Sequence, residues 1–121
     1  MTKEEAVYSF FSQFGDAYDE NYVPTGEDAP EFPYITYTVP IDRINFPTAG
    51  RASLWYRSTS WTEADAKAVE IAHALPKVIP FAGGGVLLTG GAPFSQRMND
   101  PGDNMIRRIY INITAEFLSA D

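Results

Sequence analysis

The chain has 121 residues, 45% of them hydrophobic and 21% charged, which supports one packed core and excludes a disordered polymer. Cysteine is absent, so disulfide scaffolds, thiolate metal sites and thiol catalysis are excluded. The net charge is −7, divided as −8 over residues 1–42 and +1 over residues 43–121; such a chain does not grip nucleic acid by charge, because phosphate binding needs a basic patch. No apolar run approaches the roughly 20 residues of a membrane span. The opening MTKEEAVYSFF has no signal-peptide cleavage pattern, so a cytoplasmic location is expected.

Residues 2–14 are predicted as a helix. Thr2 and Glu5 have capping-box spacing, and Val7, Phe10, Phe11 and Phe14 form one apolar face before Gly15. Residues 16–32 hold six acids, no base, and Pro24, Gly26 and Pro30, which reads as a long loop. Residues 33–39, PYITYTV, alternate as a strand. The next strand spans 50–58, with Ala52, Leu54 and Tyr56 on one face and Ser53, Trp55 and Arg57 on the other. The two strands are expected to pair antiparallel around a connection over 41–49. A second helix is predicted over 60–75, capped through Ser60 and Glu63 or Thr62 and Asp65. It carries a face of small residues, Ala64, Ala68, Ile71, Ala72 and Leu75, and stops at Pro76. Residues 77–81 read as a connector. A hairpin is expected next, with strands at 86–89 and 93–98 and a turn at Gly90, Gly91 and Ala92. A loop, NDPGDNM, leads to the strongest alternation in the chain, over 107–118. Ile109, Ile111, Ile113, Ala115 and Phe117 share its apolar side, and Arg108, Tyr110, Asn112, Thr114 and Glu116 its polar side. The order α-β-β-α-β-β-β implies a single α+β domain over 1–121: a mainly antiparallel sheet of about four to five strands with two helices packed on a face.

No arrangement of residues makes a catalytic constellation. His73, the only histidine, sits near the end of the second helix, where it complements the negative helix terminus and has no patterned nucleophile. Gly85 and Gly90 have phosphate-loop spacing without the Lys-Ser/Thr that must follow. Asp100 and Asp103 flank Pro101-Gly102 without the further oxygen ligands and closing Glu of a calcium loop. Asn112-Ile113-Thr114 matches a glycosylation acceptor inside a predicted strand and is a chance match. No catalytic residue, cofactor or metal is therefore expected. Apolar residues in loops stand out instead: Ile44 and Phe46 in the 41–49 connection, and Phe94, Met98 and Met105 around NDPGDN. These are candidate subunit or partner contacts, weighed against folding back onto the core. The acidic segment is read as a solvated loop or as a surface that keeps DNA from sticking.

FFSQFG, AYDENYVP, FPYITYTV, SLWYRSTSWTEADAKAVEIA, the Gly-rich segment and DPGDNMIRRIYINITAEFL, in that order and spacing, resemble the tail-terminator or tail-completion proteins of long-tailed, siphovirus-like bacteriophages and their prophages. The resemblance covers nearly the whole chain. It implies a small α+β structural protein, not an enzyme, that forms a ring, typically a hexamer, on the head-proximal end of the tail tube. There it ends tube polymerisation and presents a surface to the head connector, while DNA passes through without being specifically bound. The implied partners are other copies of the chain, the tail-tube protein and the connector protein. The implied location is the bacterial host cytoplasm during assembly and then the virion tail. In such a ring Asp19, Glu20, Glu27 and Asp28 are candidates for an acidic lumen or rim. The competing expectation is a small ligand-binding module or enzyme with a pocket between the sheet and the 16–32 loop, using Tyr18, Tyr22, Trp55 and Asp42.

Overall fold

The computed structural model describes residues 2–40 and 47–119. Ile44 and Phe46, Asp42 and most of the 41–49 connection lie outside them. Helix α1 spans Lys3–Ser12. Thr2 Oγ1 accepts from the Glu5 amide at 3.1 Å, and Glu5 Oε1 accepts from the Thr2 amide at 2.9 Å, so the capping box forms as the spacing predicts. Thr2→Ala is expected to cost about 1 kcal/mol, read as a lower melting temperature with unchanged circular dichroism.

Strand β1, Ala17–Asp19, follows, then 3-10 turns at Glu20–Tyr22 and Gly26–Asp28. Strand β2 is Tyr34–Thr38, β3 is Pro47–Arg57, and helix α2 is Thr62–Ala74. Strands β4, Lys77–Phe81, β5, Gly84–Met98, and β6, Ile106–Ser119, complete the chain. They form one six-stranded sheet in the order β1-β2-β3-β6-β5-β4. All neighbours are antiparallel except β1 and β2, which run parallel. Helix α1 touches both edge strands, β1 and β4, while α2 lies against β3, β6 and β5, so the sheet curls around its helices.

The α+β class stands, but the strand count of four to five does not, for two reasons. The 16–32 segment is not all loop: Ala17 is buried in the core and β1 pairs with β2, a contact too short to leave a period in the sequence. Residues 77–81 are not a connector but an edge strand paired to β5; Pro80 is tolerated there because an edge strand need not use every amide.

The expected hairpin at Gly90–Ala92 is also corrected, since β5 runs on as one strand. Between the pairs Gly90–Ile113 and Ser95–Ile111 its register slips, so residues 91–94 bulge opposite Asn112 alone. The Asn112 amide nitrogen donates to the Pro93 carbonyl at 2.8 Å. A Cβ on Gly91 would sit 2.9 Å from Asn112 Cβ and 3.2 Å from its carbonyl oxygen, so only glycine fits. Glycine and proline mark a bulge as readily as a turn. The true hairpin joins β4 to β5 and turns at Gly83, whose φ of 88° suits glycine. The capping pairs expected for α2 give way to a different contact, in which Ser60 Oγ accepts from the Thr62 amide at 3.1 Å.

One apolar cluster forms the core. Ala6, Val7, Phe10 and Phe11 of α1 and Ala64, Ala68 and Ile71 of α2 meet Leu54, Val86, Leu88, Ile109, Ile111 and Phe117 of the sheet. The inward residues of β3 and β6 are those the alternation assigns.

Candidate functional site

The outward side of β2, β3 and β6 carries the most developed surface feature. Pairing places Tyr34 opposite Trp55 and Trp55 opposite Arg108, so the three form a row across the sheet. Thr36, Ser53 and Tyr110 form the next row, and Thr38, Arg51 and Asn112 the one after. Tyr34 and Trp55 stack with ring centroids 5.9 Å apart and planes 13° apart. The Arg108 guanidinium lies over the Trp55 ring, its Cζ 4.5 Å from the centroid.

The polar atoms beneath this row are satisfied within the sheet. Trp55 Nε1 donates to Thr36 Oγ1 at 2.8 Å, and Arg108 Nε donates to Ser53 Oγ at 3.1 Å. Ser53 and Thr36 are thereby buried on the side of the sheet away from α1 and α2. The turn Glu20–Tyr22 and Val23 raise a wall beside the row. The wall is pinned by Arg51, whose Nε and Nη2 donate to the two Glu20 carboxylate oxygens at 3.2 and 2.9 Å. The resulting cleft has a volume of about 590 Å³ and is lined by Glu20, Val23, Tyr34, Thr36, Arg51, Trp55, Arg108 and Tyr110. A smaller depression sharing Arg51 and Tyr110 extends it toward Asn112. Burial pushes the Tyr34 phenol up, while the Arg108 charge pulls the other way.

The chemistry offered is recognition: aromatic plates, a stacked guanidinium and hydroxyl groups around one carboxylate that is already paired. Among the described residues no group of three His, Cys, Asp or Glu side chains could hold a metal ion. Asp103 Oδ1 accepts from the Met105 amide at 2.9 Å and its other oxygen pairs with Arg57; these contacts hold its carboxyl below the usual carboxylate range. Asp100 accepts from the Gly102 amide. Both aspartates shape their own loop. His73 is exposed in the last turn of α2.

The expected pocket residues are only partly brought together. Trp55 lines the cleft. Tyr18 meets Tyr34 edge-on at 6.3 Å, outside the lining, and Tyr22 is 81% exposed. Of the acids, Asp19 caps the first 3-10 turn by accepting from the Asn21 amide at 2.9 Å, and Glu20 is held by Arg51. Glu27 and Asp28 stand exposed on the second turn. Of the apolar loop candidates, Phe94 is partly buried, packing against the core and lining a shallow groove with Ala68, Val69 and Ala72. Met105 is half-buried, and its carbonyl accepts from the Ser58 amide. Met98 is exposed at the end of β5.

Tyr34, Arg51, Arg108 and Tyr110 belong to no motif in the sequence. The available signal was aromatic and arginine residues on the polar side of three alternating strands, where solvent-facing positions ordinarily carry small polar or charged groups. No protein-family model matches the chain, and no curated protein matches it.

Proposed function

We propose that the chain is a structural protein of the tail-terminator type, which forms a ring on the head-proximal end of a phage tail tube, ends tube growth and joins the tail to the head connector. The observation that supports this reading best is the uncovered sheet face. Both helices serve one side of the sheet, and the other side presents an aromatic and arginine surface, the residue types that anchor protein contacts. The tail-terminator resemblance supplies the identity of the assembly, and hexameric closure rests on it alone. The net charge of −7 suits a surface that DNA passes without being held; Asp19 and Glu20 contribute less to such a surface, being engaged in local contacts.

The test is electron microscopy of particles made with and without the protein in a phage that encodes it. Loss of the gene is expected to leave filled heads beside unjoined tails of uncontrolled length. Normal joined tails would overturn the reading. The cleft also favours a second reading, a small-ligand binding module, since its volume lies within the roughly 300–1,000 Å³ usual for ligand sites. Under that reading tails form normally and a small molecule copurifies with the protein.

A further inference from the structure

We infer that the cleft beside Trp55 and Arg108 is a socket for the acidic turn at residues 26–31 of a second copy of this chain. The inference rests on the ring reading and names the contact by which copies join.

The cleft is built for a carboxylate. Two guanidinium groups, Arg51 and Arg108, and one carboxylate, Glu20, line it, leaving a positive surplus in a chain of net charge −7. Arg51 is spent on Glu20. Arg108 is not spent: Trp55 supports its plane and Ser53 takes its Nε. Among the described residues no carboxylate lies within ion-pair distance of Arg108. A guanidinium seated over an aromatic ring and held through its Nε would meet a carboxylate fork with its terminal nitrogens. Tyr110 adds a hydroxyl at the same opening.

The complementary group is on the same chain. Glu27, Asp28 and Glu31 are exposed, and among the described residues none of them pairs with a base. Glu27 and Asp28 sit on a short 3-10 turn, Gly26–Asp28, between Pro24 and Pro30, and Glu31 follows Pro30. Gly26 takes a φ of 67°, a left-handed position that sharpens the tip. A turn restrained by prolines loses little freedom on docking. The chain does not fill its own socket, because its wall reaches only Glu20 and Val23 and no residue of 26–31 lines the cleft. Socket and turn are different surfaces, so their contact is head-to-tail, the kind that closes into rings or runs on as filaments.

The experiment is sedimentation of the full chain at low salt as wild type, as Glu27→Lys/Asp28→Lys, as Arg108→Gln and Arg108→Glu, and as Arg108→Glu combined with both lysines. The wild type is expected to associate. The turn variant and the Arg108 variants should sediment as monomers with unchanged melting temperature, and the combined variant should regain association. Mixing Arg108→Gln with the turn variant should give heterodimers and stop there, since each retains one good surface and the neutral glutamine does not attract the lysine turn. Should the wild type be monomeric, a peptide of residues 24–31 is titrated against it in a Trp61→Phe background, reading Trp55 fluorescence. Saturable binding, about tenfold weaker for Arg108→Gln as expected for a lost charge-assisted contact, supports the socket; no binding overturns it. Single variants that associate like the wild type also overturn it. The turn variant changes only exposed residues, so it remains decisive if the Arg108 variants melt early. Intact tails without the protein would sink the tail reading and leave the sedimentation result standing; unaltered association with failed tails would do the reverse.

Discussion

Phe10→Ala is expected to lower the free energy of unfolding by about 3–5 kcal/mol, the range for emptying a large aromatic site in a core. Phe10 is 1% exposed, and its ring meets Phe11 and Phe14 edge-on, with centroids 5.2 Å apart in both pairs. Its loss removes two aromatic contacts and leaves a void that α1, tied to both edge strands, is poorly placed to fill. Total stability of a domain this size is about 5–15 kcal/mol, so the variant should unfold at markedly lower urea. Tyr8→Ala is the control. Tyr8 lies on the same helix at 49% exposure, and its change should stay within about 0.5 kcal/mol. Equal losses for both would mean that α1 is not seated on the sheet as described.

The second large effect appears in alkali. Burial pushes the Tyr37 phenol up to about 12, with the charges of Asp19 and Tyr8 adding to the rise. In the unfolded chain a tyrosine ionises near pH 10. The folded protein therefore holds a proton that the unfolded chain gives up. The stabilisation is fully present below about pH 10 and is lost as pH rises toward about 12, amounting to roughly 2 kcal/mol. Tyr34 and Tyr56, whose phenols burial also raises, add to the same decline. Tyr37→Phe keeps the ring stacked on Phe11, at 4.9 Å and 14°, and removes the ionising group. Wild type and variant should melt alike at pH 7, and the variant should hold more of its stability at pH 11.5. Superimposable profiles from pH 9 to 12 would show that Tyr37 ionises without cost.

How much of this could be read from residues alone depended on how local each cause was. The capping box of α1 joins Thr2 and Glu5, three positions apart, and its spacing announces it. The inward faces of β3 and β6 follow from strict alternation, because a strand turns each successive side chain to the opposite side. Both helices, the α+β class and the core residues Phe10, Phe11, Leu54, Ile111 and Phe117 come from such short-range periods.

Strand pairing over long separations decided the rest. Three residues of β1 have no pattern of their own and become a strand only because β2 offers them an edge. The glycines and proline of β5 suit a turn or a bulge equally well, and β6, paired on both sides of Asn112, selects the bulge. The cleft depends most heavily on tertiary structure. Tyr34, Trp55 and Arg108 lie far apart in the chain, and one register across β2, β3 and β6 makes them neighbours. A slip of one residue in either pairing would send Trp55 or Arg108 to the other side of the sheet. Composition and alternation put aromatic and arginine residues on the polar side of these strands. The hydrogen-bonded register stacked them into one surface, because it sets which outward side chains stand opposite one another.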